Sequence, residues 1–228
     1  MRILILRPKE LIDETVKRLN AEGFEAYGCP FIELEYLDFE VPEHEYAIVT
    51  SQNVARVIRE RGIKLKKVIA IGKKTAEALE MDGVLLPASF DSKGIVDEFS
   101  EILRGKKVVA FRSDKGSDEL RKLAEVCDYK EVIVYRTKKL HGKEQRAFTR
   151  MVESCFIDVV VFSSRSIAES FIDLCDLETL KRKKVIALGP PTAEFLIKIG
   201  LKPLIPAEYT FDGVVELLKS LKGADSLH

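Results

Sequence analysis

Residues 187–200 read ALGPPTAEFLIKIG, and residues 70–83 read AIGKKTAEALEMDG; seven of the fourteen positions are identical, including the Thr-Ala-Glu at 192–194 and 75–77. In both places a short apolar run stops at a glycine and a helical pattern follows, so the unit is strand, turn, helix. Thr75 and Thr192 stand where each would cap its helix, with Ala and Glu in the first turn. A chain that writes such a unit twice invites a search for the rest of the repeat.

Working outward, RILILRPKELIDETVKRL from Arg2 aligns with KVVAFRSDKGSDELRKLA from Lys107, which sets Arg7 on Arg112. YAIVTSQNVARVI (46–58) matches DVVVFSSRSIAESF (158–171), and both copies close on a Pro-containing turn and a helix, LLPASFDSKGIVDEF and LIPAEYTFDGVVELL. The chain is therefore a duplication. Val/Ile/Leu runs at 2–6, 46–50, 67–71, 107–111, 158–162 and 184–188 alternate with amphipathic stretches of ten or more residues. Unbroken apolar runs of this length are those of strands buried on both faces of a parallel sheet covered by helices. Five strands per copy predict an α/β protein of two flavodoxin-like parallel-sheet domains.

Composition narrows the functions open to such a fold. Lys plus Arg and Asp plus Glu both total 37, which removes the general basic field that nucleic-acid binding needs. An acidic ligand must be met locally. Cys29, Cys127, Cys155 and Cys175 are scattered without a C-x-x-C pair and only three histidines accompany them, so no metal site and no redox motif is expected; the thiols read as buried in a reducing compartment. The apolar run of MRILILRPKE is too short for a signal peptide or a span, and the expectation is a cytoplasmic protein that needs no membrane. No G-x-G-x-x-G, H-E-x-x-H or G-x-S-x-G occurs, and a Walker pattern around Lys73 and Lys74 fails because Lys67 stands at its first glycine. His44 and His141 read as surface residues, and the tail KGADSLH as frayed without a role.

One segment in each copy exceeds the plan. PFIELEYLDF (30–39) and EVIVYRTKKL (131–140) are longer than an ordinary strand and alternate apolar with polar, a pattern that suits a two-stranded bridge between globular units. With ILILRP, IVTSQNVA, AIGKKTAEAL, VIVYRT, VVVFSSRS and ALGPPTAEFL in this order, the chain resembles the uroporphyrinogen-III synthase family over residues 1 to about 222. The resemblance implies a β hinge at 33–37 and 133–139, a discontinuous lobe of 1–32 with 140–228, and a second lobe of 38–132. It also implies a tyrosine facing the cleft, here Tyr135, as the candidate proton donor. From the residues alone, a tyrosine on such a strand is more often a packing residue.

In open parallel sheets ligands bind beyond the carboxyl ends of the strands. Those ends here carry Arg7, Thr50, Ser51, Thr75, Arg112, Ser113, Ser163, Ser164 and Thr192. Helix starts offer free amide N–H groups and partial positive charge, so they hold carboxylates without a net basic surface. The competing reading is that the hydroxyls are only caps and that each arginine is solvated or paired with a local carboxylate. The resemblance implies a lyase that closes hydroxymethylbilane to uroporphyrinogen III with loss of water, needing no cofactor; a monomer is expected. A two-lobed binder of a small anionic ligand is the alternative. A paired receiver-like module is disfavoured because Arg7 stands where it would need acidic residues.

Overall fold

The computed structural model describes residues 1–225. In chain order the elements are β1 (Arg2–Leu6), α1 (Lys9–Ala21), β2 (Glu25–Gly28), β3 (Ile32–Tyr36), β4 (Tyr46–Val49), α2 (Gln52–Glu60), β5 (Lys67–Ala70), α3 (Lys73–Leu79) and α4 (Ser92–Leu103). There follow β6 (Lys107–Ser113), a run of 3-10 helix at Asp118–Glu125, β7 (Asp128–Lys139), α5 (Lys143–Glu153), β8 (Val159–Phe162) and α6 (Arg165–Ile172). The chain ends with α7 (Leu177–Lys181), β9 (Lys184–Ala187), α8 (Pro190–Lys198) and α9 (Phe211–Asp225). The tail expected to fray is thus helical as far as Asp225, and residues 226–228 lie outside the described residues. No helix among the described residues is long and apolar enough to cross a membrane.

The chain divides into two compact units, Met1–Glu33 with the segment from Lys138 onward, and Leu34–Thr137. The first holds a sheet of order β2-β1-β8-β9, the second a sheet of order β3-β7-β6-β4-β5. Strand pairing from β2 to β9 in the one, and from β7 to β5 in the other, is parallel. Neither sheet is one copy of the duplication. β1 and β2 of the first copy pair with β8 and β9 of the second, while β6 and β7 of the second copy pair with β4 and β5 of the first. The copies have exchanged halves, and each unit recovers the same doubly wound order.

The expected fifth strand is reduced in both units to one bridge, Leu85 beside Ile69 and Leu204 beside Ile186. Each bridge residue donates and accepts one backbone bond of 2.8–2.9 Å, and then Pro87 or Pro206, lacking an N–H, follows two positions later. The long extended segments form neighbouring strands, with β7 running for 12 residues. Within the second unit Leu37 N–H donates to the Val134 carbonyl at 2.9 Å, and within the first Leu140 N–H donates to the Phe31 carbonyl at 2.9 Å. The chain crosses between units inside β3 and β7.

Alternation along each strand explains the unbroken apolar runs. In the first unit Leu4, Leu6, Val160 and Phe162 pack with Phe171 and Leu196 on one face, and Ile3, Ile5, Val159 and Val161 pack with Leu19, Val214 and Leu218 on the other. In the second, Val49, Val109 and Phe111 meet Val54 and Ile58, while Ile48, Val108 and Ala110 meet Ile95, Phe99 and Leu103. Both faces are spent on packing, so polar groups are left for the strand ends.

The duplicated turn before α4 and α9 has its own constraint. Gly94 N–H donates to Asp91 Oδ1 at 2.7 Å, and Gly213 N–H donates to Thr210 Oγ1 at 3.1 Å. A Cβ at Gly94 would overlap the Ser89 carbonyl oxygen, and one at Gly213 the Glu208 carbonyl oxygen. Gly94→Ala and Gly213→Ala are each expected to destabilise by ~1–3 kcal/mol, the cost of overpacking against backbone. Gly223 has nothing within 4 Å of such a Cβ and lies in α9. Gly223→Ala should therefore leave stability unchanged or raise it by up to about 1 kcal/mol, which urea denaturation midpoints would separate from the other two.

Candidate active site

At the carboxyl ends of β4, β5 and β6 the second unit opens into a cleft of about 680 Å³. Its floor is Thr50, Ser51, Ile71, Arg112 and Ser113; its walls are the start of α4, the turn at Gly116 and Ser117, and the 3-10 segment with Glu119 and Lys122. The Thr50 hydroxyl donates to the Phe111 carbonyl at 3.1 Å, which ties the end of β4 to β6. Ser51 Oγ accepts from Val54 N–H at 3.2 Å and caps α2. Asp91 caps α4 with the carboxylate that receives the Gly94 N–H. Lys122 Nζ lies 2.5 Å from Glu119, and that hydrogen bond holds the ammonium pKa above its ordinary value.

Tyr135 reaches this edge through a shift of register. β6 and β7 run in step to Arg112 opposite Ile133, and then Ser113 pairs with Tyr135, so β7 carries one extra residue. Bulges turn a strand locally and re-aim its side chains. Val134 and Tyr135, adjacent in sequence, consequently belong to one core cluster. Tyr135 is 8% exposed, its ring meets Tyr36 edge-on at 6.1 Å, and its hydroxyl lies 3.5 Å from Ser51 Oγ, the outer limit of a hydrogen bond. Its neighbour Arg136 is exposed, as an extended strand requires.

The two arginines at matching strand ends have different surroundings. Arg112 is 2% exposed, pairs with Glu131 at 2.5 Å and donates to the Gly116 carbonyl. Burial by itself would push the Glu131 carboxyl up, but hydrogen bonds from Arg121, Arg112 and Tyr129 outweigh it and hold the pKa below its ordinary value. Arg112 is therefore locked to a carboxylate, the competing reading of that residue, although its Nε has no partner and it still lines the cleft. Arg7 donates to Thr15 Oγ1 at 2.8 Å and lies over the Phe211 ring at 4.9 Å. Among the described residues no carboxylate sits within ion-pair distance of Arg7, its Nε is buried without a partner, and burial lowers its pKa against a smaller opposing pull from Glu14.

The remaining candidates of the first unit cluster near Arg7 in the topology, at the end of β8, which pairs with β1. Ser164 Oγ accepts from Ile167 N–H at 3.4 Å and caps α6, as Ser51 caps α2. Ser163 Oγ is buried without a partner. Thr75 and Thr192 are not caps: Gly72 and Gly189 occupy those positions, and both threonines are buried at the third residue of α3 and α8. The helices begin earlier than the Thr-Ala-Glu pattern suggested because Lys-Lys and Pro-Pro already adopt helical geometry, with proline suited to a first turn that needs no N–H donor.

Two burial expectations change, for His44 and for the thiols. His44 is buried, its Nδ1 2.8 Å from the Pro42 carbonyl and its Nε2 3.5 Å from Lys66 N–H, and so it stitches a loop together. His141 is exposed, as expected, with its Nε2 3.5 Å from Asp173 Oδ2. Of the four thiols only Cys29 and Cys175 are buried, each with its pKa pushed up to about 12 mainly by desolvation; Cys127 is half buried and Cys155 exposed. Sequence patterning missed Phe90, Lys93, Gly116 and Lys122 in the cleft. The aligned turns LLPASF and LIPAEY already held the signal for Phe90.

Comparison with known proteins bears on this arrangement. The family described as "HEM4: Uroporphyrinogen-III synthase HemD" matches residues 13–216. A protein of Archaeoglobus fulgidus, provisionally named uroporphyrinogen-III synthase, is 59% identical over 225 residues, covering 97% of this chain and all of its own. One of Methanocaldococcus jannaschii with the same provisional name is 26% identical, covering 97% and 99%. The fold is that of crystal structures of uroporphyrinogen-III synthetase from Helicobacter pylori (TM-score 0.66, 20% identity, 97% and 100% covered) and of mutant uroporphyrinogen III synthase from Thermus thermophilus (TM-score 0.70, 18% identity, both chains covered in full). A profile that spans most of the sequence and a relative sharing well over half of its residues lead to one conclusion: this chain belongs to the uroporphyrinogen-III synthase family.

Proposed function

We propose that the chain is a cofactor-independent lyase that cyclises hydroxymethylbilane to uroporphyrinogen III with loss of water, and that Tyr135 supplies the proton. The hydroxyl of the terminal hydroxymethyl group takes the proton and leaves as water while the pyrrole nitrogen donates electrons, and the methylene carbon that remains becomes the exocyclic carbon of an azafulvene. The far ring attacks through its substituted carbon, and the resulting spiro intermediate fragments and recloses with that ring inverted. The observation that carries this reading is the Tyr135 hydroxyl set 3.5 Å from Ser51 Oγ. Tyr135 is too buried to meet a ligand broadly, whereas Ser51 lines the cleft; the proton passes from the phenol through the serine hydroxyl to the departing oxygen.

The substrate closes unaided to the isomer without inversion, so the demanding task is to hold it bent with the substituted carbon presented. Its acetate and propionate groups need partners, and we assign them to the strand-end residues Thr50, Ser51, Thr75, Ser113, Ser163, Ser164 and Thr192, with Arg7 as the principal cation. A guanidinium drawn out of water without a carboxylate beside it gains most when an anion arrives. Arg112 contributes through position, its charge being already matched by Glu131. We read residues 33–37 and 133–139 as a hinge, the lobes being 1–32 with 140–228 and 38–132. The protein works as a monomer in the cytoplasm.

Incubation with hydroxymethylbilane, followed by oxidation and chromatography, should give predominantly the inverted isomer. A product mixture matching the buffer blank would leave the protein as an anion binder without chemistry. Tyr135→Phe should lower turnover by about a hundredfold, the low end for one general acid, and retain the isomer ratio. Unchanged kinetics would remove the phenol from the mechanism. The two arginines should separate cleanly. Arg7→Gln is expected to raise KM about tenfold while shifting stability by less than ~1 kcal/mol, since it loses a charge-assisted contact to substrate and no internal ion pair. Arg112→Gln should cost on the order of 3 kcal/mol, because breaking a buried pair leaves Glu131 uncompensated. Equal behaviour of the two variants in melting and in KM would contradict the assignment.

A further inference from the structure

The duplication retains an exposed aromatic position that packing does not require. Phe90 and Tyr209 occupy the same position of the aligned turns, and both are large side chains left mostly in solvent, 53% and 60% exposed. Around them the copies have diverged: Ser89 stands against Glu208, Asp91 against Thr210, Lys93 against Asp212. Each is nonetheless set in the same way. The Phe90 Cβ lies 3.3 Å from where a side chain on Gly72 would begin, and the Tyr209 Cβ 3.8 Å from the same point on Gly189. The glycine that ends β5 or β9 thus seats the base of the aromatic residue, and the ring extends outward. Phe90 lines the cleft of the second unit, with Lys73 Nζ 5.8 Å from its ring centroid.

Exposed single aromatics are ordinary, but one retained in both copies at a strand-end cleft while its neighbours change has been kept for its outward surface. What an aromatic face offers there is stacking. It takes flat, electron-rich rings without regard to their substituents, which a hydroxyl cannot do. Resting on the proposed activity, we propose that Phe90 and Tyr209 are positioning residues whose rings stack on pyrrole rings of the substrate, each beside the groups that take its carboxylates. Carboxylate contacts fix the edge of a pyrrole and leave its plane free to rotate about the methylene bridges. A stacked ring fixes the plane, and the plane decides which carbon of the ring is presented for bond formation.

The chain contains no tryptophan, so Phe90→Trp creates a single reporter. Titration with uroporphyrinogen, whose reduced rings do not absorb at the emission wavelength, should quench or shift that emission saturably. Phe90→Leu keeps apolar bulk and loses the aromatic face; it should lower kcat/KM about tenfold or more and increase the share of the uninverted isomer, while Phe90→Tyr restores both. Tyr209→Leu should act in the same direction, and it decides the matter together with the titration if Phe90→Leu melts below the assay temperature. Unaltered emission at saturating uroporphyrinogen, or Leu variants with wild-type isomer ratio and kcat/KM per folded molecule, would overturn the proposal. A wild-type protein that yields only the spontaneous isomer would remove the activity and this proposal together, a result distinguishable from an active wild type whose Leu variants are equally active.

Discussion

Burial of parallel strands on both faces is the constraint from which the rest follows. Ile3 and Leu4, or Val109 and Ala110, point to opposite sides of a sheet and both meet helices, so no position within the strands is free for a ligand. Chemistry is displaced to the strand ends, where main-chain groups of turns and first helical turns remain to be satisfied. Thr50, Ser51, Arg112 and Ser113 are therefore neighbours through β4 and β6 although some 60 residues separate them in sequence. The same displacement operates at β1 and β8, which brings Arg7 to the strand end beside Ser163 and Ser164.

Exchange of halves between the copies adds a second consequence. Because β1 and β2 complete the sheet begun by β8 and β9, neither copy buries its strands alone, and neither half of the chain is expected to be stable apart from the other. It also lets the units differ where it matters. The matching backbone bonds from Leu37 to Val134 and from Leu140 to Phe31 set Val134 on Phe31 and so Tyr135 on Ile32 of the other copy; the phenol beside a capping serine is thus a feature of the second unit. Arg112 is neutralised by Glu131, whereas Arg7 has no such partner among the described residues. The two units thus present unlike strand ends.

The fold was legible because its signal is local and repeated. The Val/Ile/Leu runs place β1, β4, β5, β6, β8 and β9 to within two residues, and the 12-residue β7 announces itself by its length. Where the reading failed, the deciding fact was tertiary. Thr75 and Thr192 look like caps from their place before Ala-Glu, but Gly72 and Gly189 take that role because the chain turns into the helix at once after the strand. Arg112 has the same neighbours in sequence whether it is free or paired, and only the alignment of β6 with β7 brings Glu131 to it. His44 sits among acidic residues that suggest the surface, yet two backbone groups claim its ring nitrogens. Tyr135 was placed by resemblance; its route to Ser51 depends on a bulge that no periodicity reveals.

The absence of a strong acid–base constellation becomes intelligible in this light. A reaction that proceeds unaided to the wrong isomer needs selection among poses more than it needs a lowered barrier, and selection is a matter of how many independent coordinates of the substrate are fixed. In the proposed reading, anchored carboxylates constrain positions and a single phenol sets where the hydroxyl must lie. Neither of these constrains rotation of a pyrrole about its methylene bridges, which is the coordinate that separates the two products. A surface that meets the ring plane is the missing restraint, and the strand-end turns that carry Phe90 and Tyr209 are where each scaffold can supply it without giving up a residue of its core.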